Sequence, residues 1–247
     1  MRYARMIATG PHWFALTQPT QAAPAATPEQ VKKTNMYLGI ISEIACFITA
    51  LICLAKDKSF AWRGMILLML VTCITEISGA LMSHAHHHNQ WLYNISIVFE
   101  ACLTSLMFNT ILGKYINSKP IILNGLALML LLYIYELFDH GFFVFNNITA
   151  TVMSVVFVIY SFYYYFLLIK DEAYVALQRA APFWWITGAL FFYFGSTAVN
   201  LFYPFLVDVK MGGHNITYYI FPSLSVILYS CWIYSFICRK WATTSEN

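Results

Sequence analysis

Charged residues are scarce in this 247-residue chain: Asp, Glu, Lys and Arg make up 10% of it, against about a quarter in an ordinary soluble domain. Hydrophobic residues make up 60% and aromatic residues 18%. Such a composition excludes a soluble enzyme and is typical of a membrane protein. At roughly 20 apolar residues per spanning helix, the chain has room for six or seven crossings but none for a separate soluble catalytic domain.

Several motifs are also absent, and each absence excludes a class of chemistry. The six cysteines form no C-x-x-C pair and all fall in apolar runs, which favours buried thiols over a disulfide or metal role. The last apolar run, 216–238, contains no lysine, which excludes a retinal-binding protein of the rhodopsin type. No Gly-rich phosphate loop or nucleophile elbow is present. No basic patch with interleaved aromatic residues points to nucleic acid.

Seven continuous apolar runs, each long enough to cross a bilayer, follow a polar leader. Helices are predicted for them because a helix satisfies its own backbone hydrogen bonds in lipid, whereas a membrane barrel needs short alternating segments. The fold class is therefore an all-α membrane protein with a seven-transmembrane helix bundle. The runs span about residues 36–55, 62–83, 91–113, 120–138, 142–169, 182–207 and 216–238.

The leader is rich in Pro, Ala, Thr and Gln and contains no run that could span a bilayer. We predict that residues 1–35 are a disordered leader, or that the start is misassigned and Met36 begins the protein. Residues 36–240 then form the bundle, and 241–247 form a short cytoplasmic tail.

The distribution of Lys and Arg predicts an orientation. Nine of them fall on one side of the predicted bundle and five on the other. By the positive-inside rule, the N-terminus lies outside and the C-terminus in the cytoplasm of a multi-pass protein of the plasma, or bacterial inner, membrane. The nine residues are Lys56, Lys58, Arg63, Lys114, Lys119, Lys170, Arg179, Arg239 and Lys240.

Four glutamates interrupt the apolar runs, although a charge at the centre of a spanning helix costs roughly 3 kcal/mol or more. At about 1.5 Å per residue, their depths place all four in the outer half of the membrane. We expect them to line an outward-facing cavity for a small ligand, a proton or a cation, with Asn94 and Asn200 at similar depth. Alternatively, they hydrogen-bond neighbouring helices as structural groups. The four are Glu43, Glu76, Glu100 and Glu136.

All seven histidines lie on the predicted outer side, and imidazole is a common ligand of divalent metals. The run HAHHH at 84–88 therefore marks a candidate site for a divalent metal such as zinc. Adjacent histidines cannot all reach one ion without tertiary help, and a solvated loop is the simpler interpretation. The sequence requires no cofactor. The candidate ligands are His84, His86, His87, His88 and His140.

Small residues and a proline mark the last two predicted helices. Gly188 and Gly195 lie seven residues apart, hence on one face, which predicts close approach of a neighbouring helix. Pro222 predicts a kink that serves either ordinary packing or a moving gate. Five tryptophans lie near run ends, where we expect them to anchor the bundle at the membrane interface: Trp62, Trp91, Trp184, Trp185 and Trp241.

Two segments resemble landmarks of a known group. They are NQWLYNISIVFEA, with Asn89, Trp91, Tyr93, Asn94 and Glu100, and PFWWITGALFFYFGS, with Phe183, Trp184, Gly188 and Tyr193. In both, the chain is similar to small uncharacterised seven-helix membrane proteins of Bacteroidetes, over roughly residues 36–240. Those proteins resemble the sensory membrane portions found with histidine kinases. The resemblance implies a signalling role with a cytoplasmic partner protein, although fold-level analogy is weak evidence for function.

Four roles fit these observations. A sensory or receptor-like membrane module ranks first, because polar groups concentrate on the predicted outer side. A proton- or cation-coupled transporter ranks second, since few polar groups lead onward to the cytoplasmic side. A membrane enzyme ranks third, because no nucleophile or firm metal triad accompanies the acids. A purely structural role for the acids also fits.

Overall fold

The computed structural model describes residues 28–84, 89–171, 176–206, 208–211 and 214–245. Seven α-helices make up almost all of this part of the chain, with a single 3-10 turn at Leu177–Arg179 before the sixth helix. A two-residue ladder pairs β1 (Lys210–Met211) with β2 (His214–Asn215) in antiparallel fashion ahead of the last helix. The helices are α1 (Pro28–Leu54), α2 (Phe60–His84), α3 (Gln90–Leu112), α4 (Lys119–His140), α5 (Asn147–Lys170), α6 (Ala181–Leu206) and α7 (Thr217–Ser245).

Six of these helices, α2 to α7, are long and apolar enough to cross a membrane. In α1 the apolar part of the described sequence, Gly39–Leu54, is shorter. Large apolar side chains such as Leu131, Phe138 and Phe205 are exposed on the outside of the bundle, as a lipid-facing surface requires. The protein is therefore a multi-pass α-helical membrane protein.

Most helix ends lie within two residues of the predicted runs, and three differ. Helix α1 begins at Pro28 instead of residue 36, with proline in the first turn, where its missing N–H costs nothing. Helix α5 begins at Asn147 instead of 142, because Gly141 ends α4 with a φ of 80° and a loop follows. Helix α7 continues through Pro222 to Ser245, beyond the predicted end of the bundle at 240.

The helices form a closed ring. Each helix packs against the next along the chain, and α7 packs back against α1. Helix α3 also contacts α5 and is the most buried of the six spanning helices, whereas α4 is the least buried. This arrangement puts the side chains of α3 at the centre of the bundle, within reach of both α1–α2 and α5–α6.

An aromatic core surrounds α3. The Phe108 ring lies 5.6 Å from that of Phe157 and 5.2 Å from that of Trp185, and Trp185 stacks on Trp232 at 5.5 Å. The prediction that Trp185 and Trp62 anchor the bundle at the membrane interface is wrong, because both side chains are buried. The sequence pattern misled because a tryptophan near a helix end can turn inward toward a neighbouring helix as easily as outward.

Helices α6 and α7 approach closely along a glycine face. A Cβ atom at Gly188 would lie 2.8 Å from the Cβ of Cys231 and 3.1 Å from the carbonyl oxygen of Leu228. A Cβ at Gly195 would meet Leu224 at 2.6 Å. The predicted close approach at these two glycines is therefore confirmed.

A buried ion pair joins α7 to the loop between α1 and α2. Arg239 donates from Nε to Oδ2 of Asp57 at 2.7 Å and from Nη2 to Oδ1 at 3.1 Å. The Ser59 amide also donates to Asp57 Oδ1, and the guanidinium lies over the Trp62 ring. Arg239, which served in the sequence only as a marker of orientation, is thus a structural contact.

The charge of Asp57 is stabilised by these partners. Burial by itself raises the pKa of Asp57, but the hydrogen bonds from Arg239 and Ser59, with the positive charges of Arg239 and Arg63, outweigh it and lower the pKa from its usual value. A carboxyl with a lowered folded-state pKa stabilises the fold above its unfolded pKa of about 4, and this contribution disappears as the pH falls through the folded value.

We expect Gly188→Ala to destabilise the bundle by about 1–3 kcal/mol, the usual cost of overpacking, because its methyl would press on the α7 backbone. The matched control is Gly39→Ala in α1, where nothing lies within 4 Å of an added Cβ. There the better helix propensity of alanine should leave stability unchanged or raise it by up to about 1 kcal/mol. Thermal unfolding in detergent measures both; equal effects would contradict the close approach.

We expect Asp57→Asn to lower stability by about 2–3 kcal/mol, because it leaves the Arg239 guanidinium without its carboxylate in a largely buried place. The exposed Asp208→Asn serves as a control. The loss should be full at neutral pH and shrink below about pH 4, where the wild-type carboxylate takes up a proton. If the stability difference between the wild type and Asp57→Asn were as large at low pH as at neutral pH, the pairing of charged Asp57 with Arg239 would be contradicted.

Candidate functional site

Three of the four predicted acids meet inside the bundle. Glu43 on α1 and Glu76 on α2 are close enough for their charges to interact, and Tyr229 on α7 is within electrostatic reach of both and of Glu100 on α3. Tyr93 of α3 also lies near Glu43 and Glu76. We call these three carboxyls with Tyr93, Tyr193 and Tyr229 the acid cluster.

Glu43 is the most buried acid of the cluster. The residue is 4% exposed, and its Oε1 atom is buried without a hydrogen-bond partner. The thiols of Cys46, one turn along α1, and Cys73 on α2 lie beside the carboxyl. A buried polar atom without a partner is costly. Glu43 therefore has capacity left to bind a proton or another hydrogen-bonding group.

Glu100 is bound to α6 through a phenol. Tyr193, itself buried, donates a hydrogen bond from its hydroxyl to Glu100 Oε1 at 2.7 Å. The Thr104 hydroxyl, one turn along α3 from Glu100, lies next to the Tyr193 phenol but outside hydrogen-bond geometry. This contact joins the half of the ring that carries the acids to the half that carries α6 and α7.

Glu76 and Glu100 are less completely buried than Glu43. Protein atoms surround both side chains, yet each residue keeps part of its surface exposed.

The electrostatics of the cluster are unfavourable without a bound positive species. In their charged forms Glu43 and Glu76 repel each other in a low-dielectric interior, and all three carboxyls lose hydration. No Lys or Arg is among the described groups that interact with these carboxyls. Among the described residues, no three His, Cys, Asp or Glu side chains are placed to hold a metal ion.

Glu136 lies apart from the cluster and caps helix α5. Its Oε1 accepts from the Ile148 amide at 2.8 Å, and its Oε2 accepts from the Thr149 amide at 2.7 Å and the Thr149 hydroxyl at 2.6 Å. A carboxylate at the first amides of a helix is stabilised by those donors and by the helix dipole. With an exposure of 1%, Glu136 has a complete structural role.

Asn94 also has a structural role. It is fully buried, its Nδ2 donates to the carbonyl oxygens of Phe142 and Val144 at 2.9 and 2.7 Å, and its Oδ1 accepts from the Asn146 amide at 3.0 Å. These bonds hold the loop between α4 and α5, which explains why α5 begins later than predicted. Asn200 lies partly exposed on α6, about two turns from Tyr193.

Most of the candidate metal ligands lie outside the described residues. This applies to His86, His87 and His88 and to the side chain of His84 at the end of α2. His140 is described: its Nε2 lies 3.6 Å from Glu136 Oε1, and its Nδ1 is buried without a partner. His140 thus sits beside the α5 cap and away from the acid cluster.

Sequence reasoning missed the phenols and thiols of the site. The sequence favoured buried thiols for Cys46 and Cys73, gave Tyr193 only as part of a resemblance and did not single out Tyr229. A signal existed for the cysteines, since Cys46 and Cys73 each lie three residues from a buried glutamate and hence on its helix face. No local pattern pointed to the two tyrosines, because their partners lie on other helices.

Comparisons of the chain with protein-family models, with curated proteins and with solved structures give no match. The resemblance to small seven-helix membrane proteins of Bacteroidetes therefore stays a prediction. The class that fold and site define is a multi-pass α-helical membrane protein with an acid cluster in its interior.

We expect Glu136→Gln to destabilise the protein by about 1–3 kcal/mol, since an amide cannot replace both acceptor oxygens and its NH₂ group would face helix amides. The matched control is Asp139→Asn, an exposed acid at the same end of α4. Thermal unfolding of both variants provides the measurement. A loss of similar size in both would contradict the capping role.

Proposed function

We propose that this protein is a sensory or receptor-like membrane module whose ligand site is the acid cluster, and that the ligand is a proton. The observation that carries the proposal is the convergence of Glu43, Glu76 and Glu100 from three helices, with the buried Glu43 Oε1 unpaired. Since the Glu43 and Glu76 carboxylates repel each other, uptake of a proton by either one changes the free energy of the arrangement.

The orientation belongs to the same proposal. We place the N-terminus outside and the C-terminus in the cytoplasm, with α1 as a seventh crossing, because nine Lys and Arg residues then face the cytoplasm. In a plasma or bacterial inner membrane, the acid cluster then faces the outside. A signal passes to a cytoplasmic partner protein through the loops at the other end.

A route for the signal runs through α6 and α7. Tyr193 bonds Glu100, and Tyr229 interacts electrostatically with all three acids. At the opposite end of the bundle α7 carries Arg239, which binds Asp57. A ligand shifts the population of two arrangements only by its differential affinity for them, and a change of charge beside these tyrosines supplies such a difference.

Transport of protons or cations is the second candidate function. Thr104 and Ser105 on α3 are fully buried beyond Glu100 and have no hydrogen-bond partner in the protein. They supply part of the polar path that a carrier needs. A membrane enzyme ranks below both, since the cluster offers carboxyls, phenols and thiols but no paired base and nucleophile of the usual kind.

We expect the unfolding midpoint in detergent to fall as the pH rises from about 5 to 8, because the folded state then loses protons that neutralise the buried carboxyls. Glu43→Gln, Glu76→Gln and Glu100→Gln should each reduce this dependence. Glu136→Gln, which alters a buried acid outside the cluster, should lower the midpoint but keep the slope with pH.

The same scan tests for cations. Stabilisation by one divalent cation that disappears in Glu100→Gln would replace the proton by that cation as the ligand, since a species that binds the folded state stabilises it. The proposal would be overturned if the unfolding midpoints of the wild type and of all variants responded to neither pH nor cations. Uptake of protons by proteoliposomes at a rate that Glu100→Gln abolishes would favour the transporter.

A further inference from the structure

Many Ser and Thr hydroxyls in these helices bond their own backbone. Thr110 donates to the carbonyl of Leu106 at 2.9 Å, Ser161 to that of Phe157 at 2.8 Å, and Thr197 to that of Tyr193 at 2.8 Å. The bond to the residue four positions earlier is the usual way in which a helix satisfies a hydroxyl that no water reaches. It makes the exceptions informative.

Three buried hydroxyls do not follow this pattern. Thr104 and Ser105 on α3 have no exposed surface, Ser196 on α6 is 8% exposed, and none of the three has a hydrogen-bond partner within the protein. Ser196 is directly next to Thr197, which does bond its helix. The local backbone therefore allows the ordinary bond, and these hydroxyls point elsewhere.

Two of the exceptions flank one contact, and the third, Ser105, follows Thr104 directly on α3. Thr104 lies one helical turn from Glu100, and Ser196 lies one turn from Tyr193, the two residues that hydrogen-bond each other between α3 and α6. One turn beyond Thr104 on α3, Phe108 packs on Trp185, whose buried Nε1 also lacks a partner. The unpaired polar atoms thus continue from the acid cluster along the α3–α6 interface.

Two physical states could account for such atoms. Either they are dry, and each costs the protein its lost hydrogen bond, or water molecules bind between them. Internal water needs several polar partners within reach and enough room. The Glu100 carboxyl, the Tyr193 hydroxyl and the three unpaired hydroxyls supply the partners, and Glu100 is only partly buried.

We propose that ordered water binds between α3 and α6 on the hydroxyls of Thr104, Ser105 and Ser196, and that this water carries protons to and from Glu100. The route of proton exchange rests on the proposed function, in which the acid cluster takes up protons. The water site is independent of that function. The other titratable groups that face this region from the surrounding helices are Glu43, Cys46, Cys73, Glu76, Tyr93, Tyr193 and Tyr229.

Thermal unfolding of Thr104→Val and Ser105→Ala tests the water site. Removing a hydroxyl that binds water deprives that water of one of its hydrogen-bond partners. We therefore expect the unfolding midpoint to fall by about 2–4 °C in each variant. A dry, unpaired hydroxyl is a liability, so its removal would raise the midpoint and overturn the water site. Ser161→Ala and Thr110→Val are matched controls that remove hydroxyls already bonded to their own helix.

Infrared spectroscopy tests the proton route. The protein is reconstituted at pH 5–6, where the proposed function expects protonated carboxyls. The carboxylic C=O band of Glu100 is identified as the band that Glu100→Gln removes. This band shifts when D₂O replaces the bulk water. We expect this exchange to slow by a factor of about ten or more in Thr104→Val/Ser105→Ala and to keep its wild-type rate in Ser161→Ala.

The outcomes separate the two proposals. A Glu100 band that exchanges at the wild-type rate in the double variant overturns the route and leaves the proposed function standing. The absence of any carboxylic band that Glu100→Gln removes means that Glu100 carries no proton, which contradicts the proposed function and the route together. In that case the midpoints of the single variants still decide whether the water site exists.

Discussion

A polar group inside a membrane must find its partner within the protein, because lipid offers none. Most of this bundle obeys that constraint through short, specific contacts. Helical hydroxyls bond their own backbone, Glu136 binds the first amides of α5, and Asn94 holds the loop that precedes it. At the other end of the bundle Asp57 and Arg239 pair with each other. The ends of the helices are thus held by polar contacts, and aromatic rings fill the space around α3.

The departures from this constraint lie in one region. Glu43 Oε1 and the hydroxyls of Thr104, Ser105 and Ser196 are buried without protein partners, and three carboxyls lie within electrostatic reach of Tyr229 nearby. Glu136 shows that this chain can bury a glutamate with every oxygen satisfied. Because the same side chain is fully bonded in one place and left unpaired in another, the acid cluster is not explained by packing. Unsatisfied buried groups of this kind need an explanation, and the proposed ligand site supplies one.

The position of the cluster connects the two halves of the ring. The acids come from α1, α2 and α3, whereas the phenols that contact them come partly from α6 and α7. Tyr229 and Arg239 are ten residues apart on α7, or about 15 Å along its axis, so one helix touches both the cluster and the ion pair at the opposite end. Close glycine packing at Gly188 and Gly195 holds α6 against α7.

The sequence by itself determined the class of fold, because scarce charge and continuous apolar runs leave few alternatives to spanning helices. It also placed most helix ends within two residues and singled out Glu43, Glu76 and Glu100, since a carboxyl within an apolar run is costly wherever the helix lies. The tertiary structure decided which acids meet. Glu136 differs from the other three only through a loop that brings the start of α5 to it, and Tyr193 and Tyr229 enter the cluster from helices distant in sequence. Side-chain direction decided the rest: Trp62 and Trp185 turn inward, and Thr104 turns away from its own backbone, because neighbouring helices determine which rotamers have room.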